Sequence, residues 1–223
     1  MTASTQTLTL QEQIDVLLRA SANSGDSPSR QLISDSIANL AASGIVEQSL
    51  QAGDLAPDFT LPNATGGTLT LSELLTHGPV VLTFYRGEWC PFCNLTLRAY
   101  ESSLPDFALY GATLVAVSPQ TPDYSLLTVK NKQLTYPVLS DVGNRIAREY
   151  RLVYRLQEPV KQLYRTRGLD LSKFNGDESW ELPLTGTFVI GPDCRIALAF
   201  VDASFMKRLE PAAIVEALGG LSR

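Results

Sequence analysis

Apolar residues near the start of the chain recur every three to four positions, which is the spacing of an amphipathic helix. The first such stretch carries Leu10, Ile14 and Leu18 on one side. Thr9 and Glu12 have the spacing of a capping box, in which each side chain accepts a hydrogen bond from the other residue's backbone N–H. The pattern predicts a helix that begins next to Thr9.

A second helical stretch begins at Ser27, which precedes Pro28, and ends at Gly44. Its apolar face carries Ile33, Ile37 and Leu40. The polar break at residues 24–26 indicates that the two helices form a hairpin. We therefore expect residues 1–50 to form an N-terminal helical extension that packs on the main domain or on a partner subunit.

From Gly53 onward the pattern changes to alternating strands and helices, which is typical of an α/β protein. Pro79–Tyr85 and Ala112–Ser118 are continuous apolar runs, as expected of strands buried on both faces. Cys93 to about Tyr110 reads as the helix between them, kinked at Pro105. These three segments predict a βαβ unit.

The rest of residues 51–223 continues the same alternation. We predict helices at Pro122–Leu134, Gly143–Tyr150 and Pro211–Leu218, and strands at Tyr136–Leu139, Thr187–Ile190 and Arg195–Val201. Gly191-Pro192-Asp193 has the composition of a hairpin turn between the last two strands. Residues 154–182, basic in the first half and acidic in the second, form a long insertion of the kind that is usually functional or partly disordered.

Composition excludes several classes of function. The formal net charge is −5, so the chain lacks the basic surface that nucleic acid or an anionic membrane would attract. No apolar run is long enough for a membrane span, and the first twenty residues are too polar for a secretory signal. Three cysteines do not make a disulfide framework. We expect a cytoplasmic protein.

Cys90-Pro91-Phe92-Cys93 carries the candidate chemistry. It lies between a buried strand and a helix, which places the first sulfur at the helix N-terminus and the second one turn later. Unpaired N–H groups and the helix dipole favour a thiolate there. Pro91 suits the first helical position, and Trp89 offers a flat apolar wall beside the sulfurs. The motif predicts a redox-active cysteine pair.

Two other interpretations of the pair remain open. Cys90 and Cys93 could be core cysteines that happen to be close in sequence. They could also bind a metal ion, but the further ligands would have to be Cys194 and His77, and no second paired motif exists. We expect no metal and no cofactor, and we interpret Cys194 as structural and His77 as a surface or capping residue.

Three segments in order carry a resemblance to a known family: Gly53–Leu61 (GDLAPDFTL), residues 80–93 (VVLTFYRGEWCPFC) and residues 136–141 (YPVLSD). The chain resembles the alkyl hydroperoxide reductase/thiol-specific antioxidant family, and within it the peroxiredoxin-like proteins with a thioredoxin-style CxxC. The resemblance covers about residues 50–219. It implies a thioredoxin-like fold, in which helices flank a central mixed sheet, and an antioxidant oxidoreductase.

Compared with the peroxiredoxin loop, Cys93 takes the place of the peroxidatic cysteine and Cys90 that of a threonine. Arg86 replaces the loop proline, and Thr185 stands where the family has a distant arginine that stabilises the thiolate. Arg86 and Arg98 could supply the positive charge near the thiolate instead, or they could be solvated surface residues. We expect Glu88 to lie on the surface. Because two helpers are missing at their usual positions, we expect slow reaction with peroxide.

Compared with thioredoxin, Cys90 becomes the nucleophile and Cys93 the resolving cysteine. Thr83 stands where thioredoxins have a buried acid, and Thr185 where they have a cis-proline; Pro183 is an alternative candidate for that proline. The resemblances therefore leave the attacking sulfur undecided.

Both readings lead to a Cys90–Cys93 disulfide. The substrate is a peroxide or a protein disulfide, and the reductant a thiol such as thioredoxin or glutathione. The alternative is a non-catalytic redox sensor or binding module that the disulfide switches. The family also implies a possible homodimer.

Overall fold

The computed structural model describes residues 8–23 and 27–221. Its helices are α1 (Leu10–Asn23), α2 (Ser27–Ala42), α3 (Ile45–Gln48), α4 (Leu71–Leu75), α5 (Pro91–Ser102), α6 (Leu104–Ala108), α7 (Pro122–Lys132), α8 (Arg145–Glu149), α9 (Glu158–Thr166), α10 (Leu171–Asn175) and α11 (Pro211–Leu221). Its strands are β1 (Thr60–Pro62), β2 (Thr68–Thr70), β3 (Val80–Phe84), β4 (Thr113–Ser118), β5 (Val138–Ser140), β6 (Val153–Arg155), β7 (Glu181–Pro183), β8 (Gly186–Ile190) and β9 (Ile196–Val201).

A five-stranded mixed sheet forms the centre of the fold, in the order β5-β4-β3-β8-β9. β3 pairs in parallel with β4, and β4 with β5, whereas β3 pairs antiparallel with β8 and β8 with β9. The turn at residues 191–193 joins β8 to β9, which confirms the predicted hairpin. The α/β class and the thioredoxin-like mixed sheet expected from the sequence are confirmed.

β3 is covered on both faces of the sheet, and all of its residues except Thr83 are apolar. Successive side chains of a strand point to opposite faces of the sheet. Leu82 and Phe84 enter the core cluster on one face, while Val81 enters a second cluster on the other. Because both faces are covered, all five residues of β3 are buried.

α1 closes the second cluster next to the motif. The capping box is present, since Glu12 N–H donates to Thr9 Oγ1 at 3.2 Å and Thr9 N–H to Glu12 Oε2 at 2.7 Å. Leu10 and Ile14 are buried in the same cluster as Cys90 and Cys93. The predicted break at residues 24–26 lies outside the described residues.

The helix predicted from Cys93 to Tyr110 is instead two helices. α5 begins at Pro91, with Cys90 as its N-cap residue, and ends at Ser102. α6 starts at Leu104, so Pro105 lies in its first turn, where a missing backbone N–H costs nothing. The proline therefore starts a new helix and does not kink a continuous one.

Residues 154–182 form an ordered unit. β6 and β7 pair as an antiparallel ribbon, and α9 and α10 lie between them in sequence. A small third core cluster, centred on Val160, Tyr164 and Trp180, holds the unit together, and Ile33 of α2 packs against it. The division of the chain at residue 50 stays a prediction. No described helix combines the length and apolarity needed to cross a membrane.

Candidate active site

The cysteine pair lies where the buried strand meets the helix. Cys90 has extended backbone angles (φ −91°, ψ 109°), and Pro91 follows it in the first turn of α5 with an exposed side chain. Cys90 and Cys93 are free thiols, and both are buried in the same core cluster. The structure therefore describes the dithiol form of the pair.

The two sulfurs have opposite acidities. Burial alone would raise the pKa of the Cys93 thiol, but the hydrogen bond from Cys90, the Arg208 guanidinium and the Arg86 backbone N–H together lower it to about 5. Burial and the neighbouring Cys93 raise the pKa of Cys90 well above its usual value. These contacts favour the thiolate form at Cys93 and the thiol form at Cys90.

Arg208 supplies the positive charge that the sequence comparison found missing at Thr185. Its Nη2 lies 3.5 Å from Cys93 Sγ, and its Nη1 donates to Thr185 Oγ1 at 2.8 Å and to the Lys207 carbonyl at 2.7 Å. Thr185 occupies the family's arginine position, as the sequence indicates, and a different arginine contacts Cys93. An arginine reaches the site from the segment before α11, and Thr185 orients it.

A small chamber lies beside Cys93. Its volume is about 10 Å³, near the minimum that one water molecule needs, and Thr185, Thr187 and Arg208 are among its lining residues. The Thr83 and Thr187 hydroxyls are 3.0 Å apart, and Tyr100 Oη lies 3.2 Å from Thr187 Oγ1. Thr83, at the position of the thioredoxin acid, is thus part of a hydroxyl network that can bind a small polar molecule.

Arg86 is inside the protein, with only 2% of its surface exposed. Its guanidinium lies 4.8 Å from the Trp89 ring centre and 4.1 Å from that of Phe205, and its Nη2 donates to Tyr164 Oη at 2.6 Å. Tyr164, Tyr154 and the two sulfurs raise the pKa of Arg86 despite its burial. Arg86 therefore adds a fixed positive charge near the dithiol.

Other predicted residues lie away from the sulfur chemistry. Arg98 is exposed on α5, so it is not a second thiolate-stabilising cation. Pro183 has a trans peptide bond and pairs in β7, so the cis-proline alternative is wrong. Glu88 is half-buried: its carboxylate accepts from the Asn131 amide at 2.8 Å in an exposed contact, and its N–H donates to Gln120.

A metal site at the pair has no support among residues 8–23 and 27–221, where no group of candidate ligands comes together. Cys194 packs against the core cluster on the opposite face of the sheet. His77 is exposed just beyond α4, with its Nδ1 3.1 Å from the Glu73 carbonyl.

A second, larger cavity is lined by Cys90, whereas the small chamber is lined by Cys93. It measures about 650 Å³ and is walled by residues of α1, α2 and α9, by the motif and by residues 204–206. Trp89 lies in this wall and makes an edge contact with Tyr164, with ring centres 5.8 Å apart. The predicted apolar wall next to Cys90 is therefore present.

Sequence reasoning missed Arg208, Tyr164 and Phe205. Arg208 is 115 positions from Cys93, and Tyr164 is 78 positions from Arg86. Short-range spacing carries no signal for such contacts. The only available hint was the resemblance itself, which requires an arginine near the thiolate without saying which one.

Comparison with known proteins identifies a family that the chain resembles. The AhpC/TSA family pattern matches residues 52–199. "Peroxiredoxin Q, chloroplastic" of Triticum aestivum is 31% identical over 110 residues, which are 49% of this chain and 50% of that protein. The protein of the same name from Populus jackii is 35% identical over 98 residues, 44% of this chain and 46% of that protein. The chain thus spans about half the length of these curated relatives.

Solved structures show the same fold. The peroxidoxin BcpB of Mycobacterium tuberculosis superposes with a TM-score of 0.60 at 25% identity, covering 78% of this chain and 97% of that one. Peroxiredoxin Q of Xanthomonas campestris gives a TM-score of 0.61 at 17% identity, covering 78% and 99%. The family pattern covers more than half of the sequence, and the chain therefore belongs to the AhpC/TSA family.

Proposed function

We propose that this protein is a thiol peroxidase in which Cys93 attacks the peroxide and Cys90 resolves the product. The observation that carries the proposal is the Arg208 Nη2 to Cys93 Sγ contact of 3.5 Å at a sulfur whose pKa is lowered. Family membership and the likeness to proteins named peroxiredoxin support it. The high pKa of Cys90 argues against a thioredoxin-style attack that starts at that sulfur.

The oxidative half-reaction follows from these contacts. The Cys93 thiolate attacks one peroxide oxygen, the O–O bond breaks, and the leaving oxygen takes a proton to become water or an alcohol. Cys93 is then a sulfenic acid. Cys90 attacks the Cys93 sulfur, a disulfide forms, and the hydroxyl group leaves as water. Arg208 favours the first step because it holds Cys93 as the thiolate and can donate to the leaving oxygen.

The reductive half-reaction consumes two electrons from thiols. Thioredoxin and glutathione are the two candidate donors, and reduction of a protein disulfide is the alternative activity of the same dithiol. We place the protein in the cytoplasm, because the dithiol needs a reducing compartment. A homodimer, as the family implies, is part of the proposal and is tested by sedimentation.

Single-cysteine variants test the assignment. Cys90→Ser should still consume one peroxide per chain and trap a dimedone adduct on Cys93, because the attacking sulfur is intact. Cys93→Ser should leave Cys90 unreacted on the same timescale. Adducts on Cys90 in place of Cys93 would refute the assignment of roles.

Turnover separates an enzyme from a sensor. With peroxide in excess and glutathione or a thioredoxin system present, the wild-type protein should consume many equivalents of peroxide. A single stoichiometric oxidation with neither reductant sustaining turnover would favour the redox sensor.

A further inference from the structure

The N-terminal helices enclose the Cys90 side of the active site. Leu18 of α1 and Ile33 and Ile37 of α2 line the cavity of about 650 Å³ opposite Trp89 and Cys90. These helices precede the residues that match the family pattern, which begins at residue 52. The wall is therefore an addition to the part of the chain that the family pattern describes.

Among the described residues, the charged side chains that line the cavity are all basic. Arg30, Arg86 and Arg167 line it, and no Asp or Glu belongs to its lining in the part of the chain that the structure describes. Arg30 and Arg167 each have a further interaction of their own. Arg86 is different, because it is almost fully buried and its Nε has no hydrogen-bond partner among the described residues. A buried, incompletely bonded guanidinium favours an anion.

The volume of the cavity indicates whether a small molecule or a protein binds there. Pockets of ~300–1,000 Å³ hold small molecules, whereas two folded proteins bury about 800 Å² on each side of an interface. Here α1 and α2 stand across from the motif, and Cys90 lines the cavity as a buried residue. A small thiol therefore fits the approach to Cys90 better than the broad surface of a folded protein does.

We propose that this cavity is the entry site of the reductant, and that the reductant is a low-molecular-weight thiol carrying a carboxylate. The inference rests on the proposed function, since it needs the Cys90–Cys93 disulfide as an intermediate. The apolar wall of Trp89 and Phe205 contacts the thiol's carbon chain, and Arg86 attracts its carboxylate.

The reaction balances with two such thiols. The thiolate of the first attacks Cys90 Sγ, the Cys90–Cys93 bond breaks, and Cys93 leaves as a thiolate. A second thiolate attacks the small-molecule sulfur of the mixed disulfide, which releases Cys90 as a thiolate that takes up a proton. The two small thiols are thereby oxidised to one small disulfide, and the Cys90–Cys93 disulfide is reduced by two electrons. Attack at Cys90 is favoured because a sulfur of low pKa leaves faster.

Three small thiols test the charge preference. The disulfide form is prepared with diamide, so the assay does not depend on peroxide chemistry. Reduction by 3-mercaptopropionate, 2-mercaptoethanol and cysteamine is then followed by acid quench, alkylation and mass spectrometry. Per thiolate, the anionic thiol should react about fivefold or more faster than the cationic one, and added salt should shrink the difference. Equal rates, or the reverse order, would overturn the proposal.

A charge variant locates the effect. Ser34→Glu adds a carboxylate at an exposed position of α2 that lines the cavity, and Asn39→Glu adds the same charge to the same helix away from the lining residues. Ser34→Glu should lower the rate of disulfide reduction by 3-mercaptopropionate about fivefold, but it should not lower the rate with cysteamine. Asn39→Glu should change neither rate. If both variants behave alike, the cavity is not the route.

A comparison with a protein thiol completes the test. At equal thiolate concentration, glutathione should reduce the disulfide of the wild-type protein faster than reduced thioredoxin does. A faster reaction with thioredoxin would overturn the inference and leave the peroxidase proposal intact. Conversely, the absence of any reaction of the reduced protein with peroxide would refute only the proposed function, because the disulfide used here is made independently.

Discussion

The Glu210 carboxylate accepts a hydrogen bond of 2.7 Å from the backbone N–H of Gln11, and its other oxygen accepts from the Leu10 N–H at 3.2 Å. It thus caps the first turn of α1 across 199 positions of sequence and complements the helix dipole. Arg208, two residues earlier, contacts Cys93. The segment before α11 therefore joins the N-terminal helix to the sulfur chemistry.

Replacing Glu210 should destabilise the protein. Glu210→Ala removes the acceptor for two N–H groups of α1, and loss of such a cap costs about 1 kcal/mol. We expect a lower urea midpoint with an unchanged slope. The matched control is Glu216→Ala, an exposed glutamate of α11, which should leave the midpoint nearly unchanged. Equal shifts for the two variants would show that the cap contributes nothing.

Replacing Arg208 should slow the attack on peroxide. Arg208→Met removes the charge next to Cys93 and raises the pKa of that thiol, so at pH 7 we expect oxidation by hydrogen peroxide to slow by about tenfold or more. Stopped-flow fluorescence gives the rate, and thiolate absorbance gives the pKa. Lys207→Met, at an exposed neighbour, is the control and should change neither. An unchanged Cys93 pKa in Arg208→Met would contradict the assigned role.

The pH dependence follows from the lowered pKa of Cys93. Only the thiolate attacks, so the oxidation rate should rise from about pH 4 and level off above about pH 6, because the pKa is about 5. A free cysteine with a pKa near ~8.5 would instead keep accelerating through pH 8. Stopped-flow measurements between pH 4 and 9 distinguish the two profiles, and a rate that still climbs tenfold per pH unit at pH 7 would rule out the thiolate assignment.

Peroxide size should matter. The chamber at Cys93 is about 10 Å³, with threonines as well as aromatic and aliphatic side chains in its lining, so hydrogen peroxide should react faster than the bulky cumene hydroperoxide by about tenfold or more. Competition between the two peroxides, followed by mass spectrometry of the product, measures the ratio. Equal rates would mean that the peroxide approaches from the larger cavity.

The sequence alone was sufficient for the local architecture. A nearly continuous run of apolar residues predicted β3, because a strand covered on both faces is mostly apolar, with Thr83 as the exception here. The Thr9–Glu12 spacing predicted the start of α1, and the motif between strand and helix predicted the position of the two sulfurs. Each of these signals depends on residues that are close together in the sequence, so it can be recognised without knowledge of the tertiary structure.

The tertiary structure decided which sulfur is activated. Arg208 and Thr185 reach Cys93 from distant segments, and a surface arginine and a buried one look the same in a sequence. The structure also buried Arg86 between two rings and exposed Arg98, although both lie in the segment that runs from β3 into α5. Charge at a site depends on which segments the fold brings together, so the acidity of Cys93 and the cavity beside Cys90 became visible only in three dimensions.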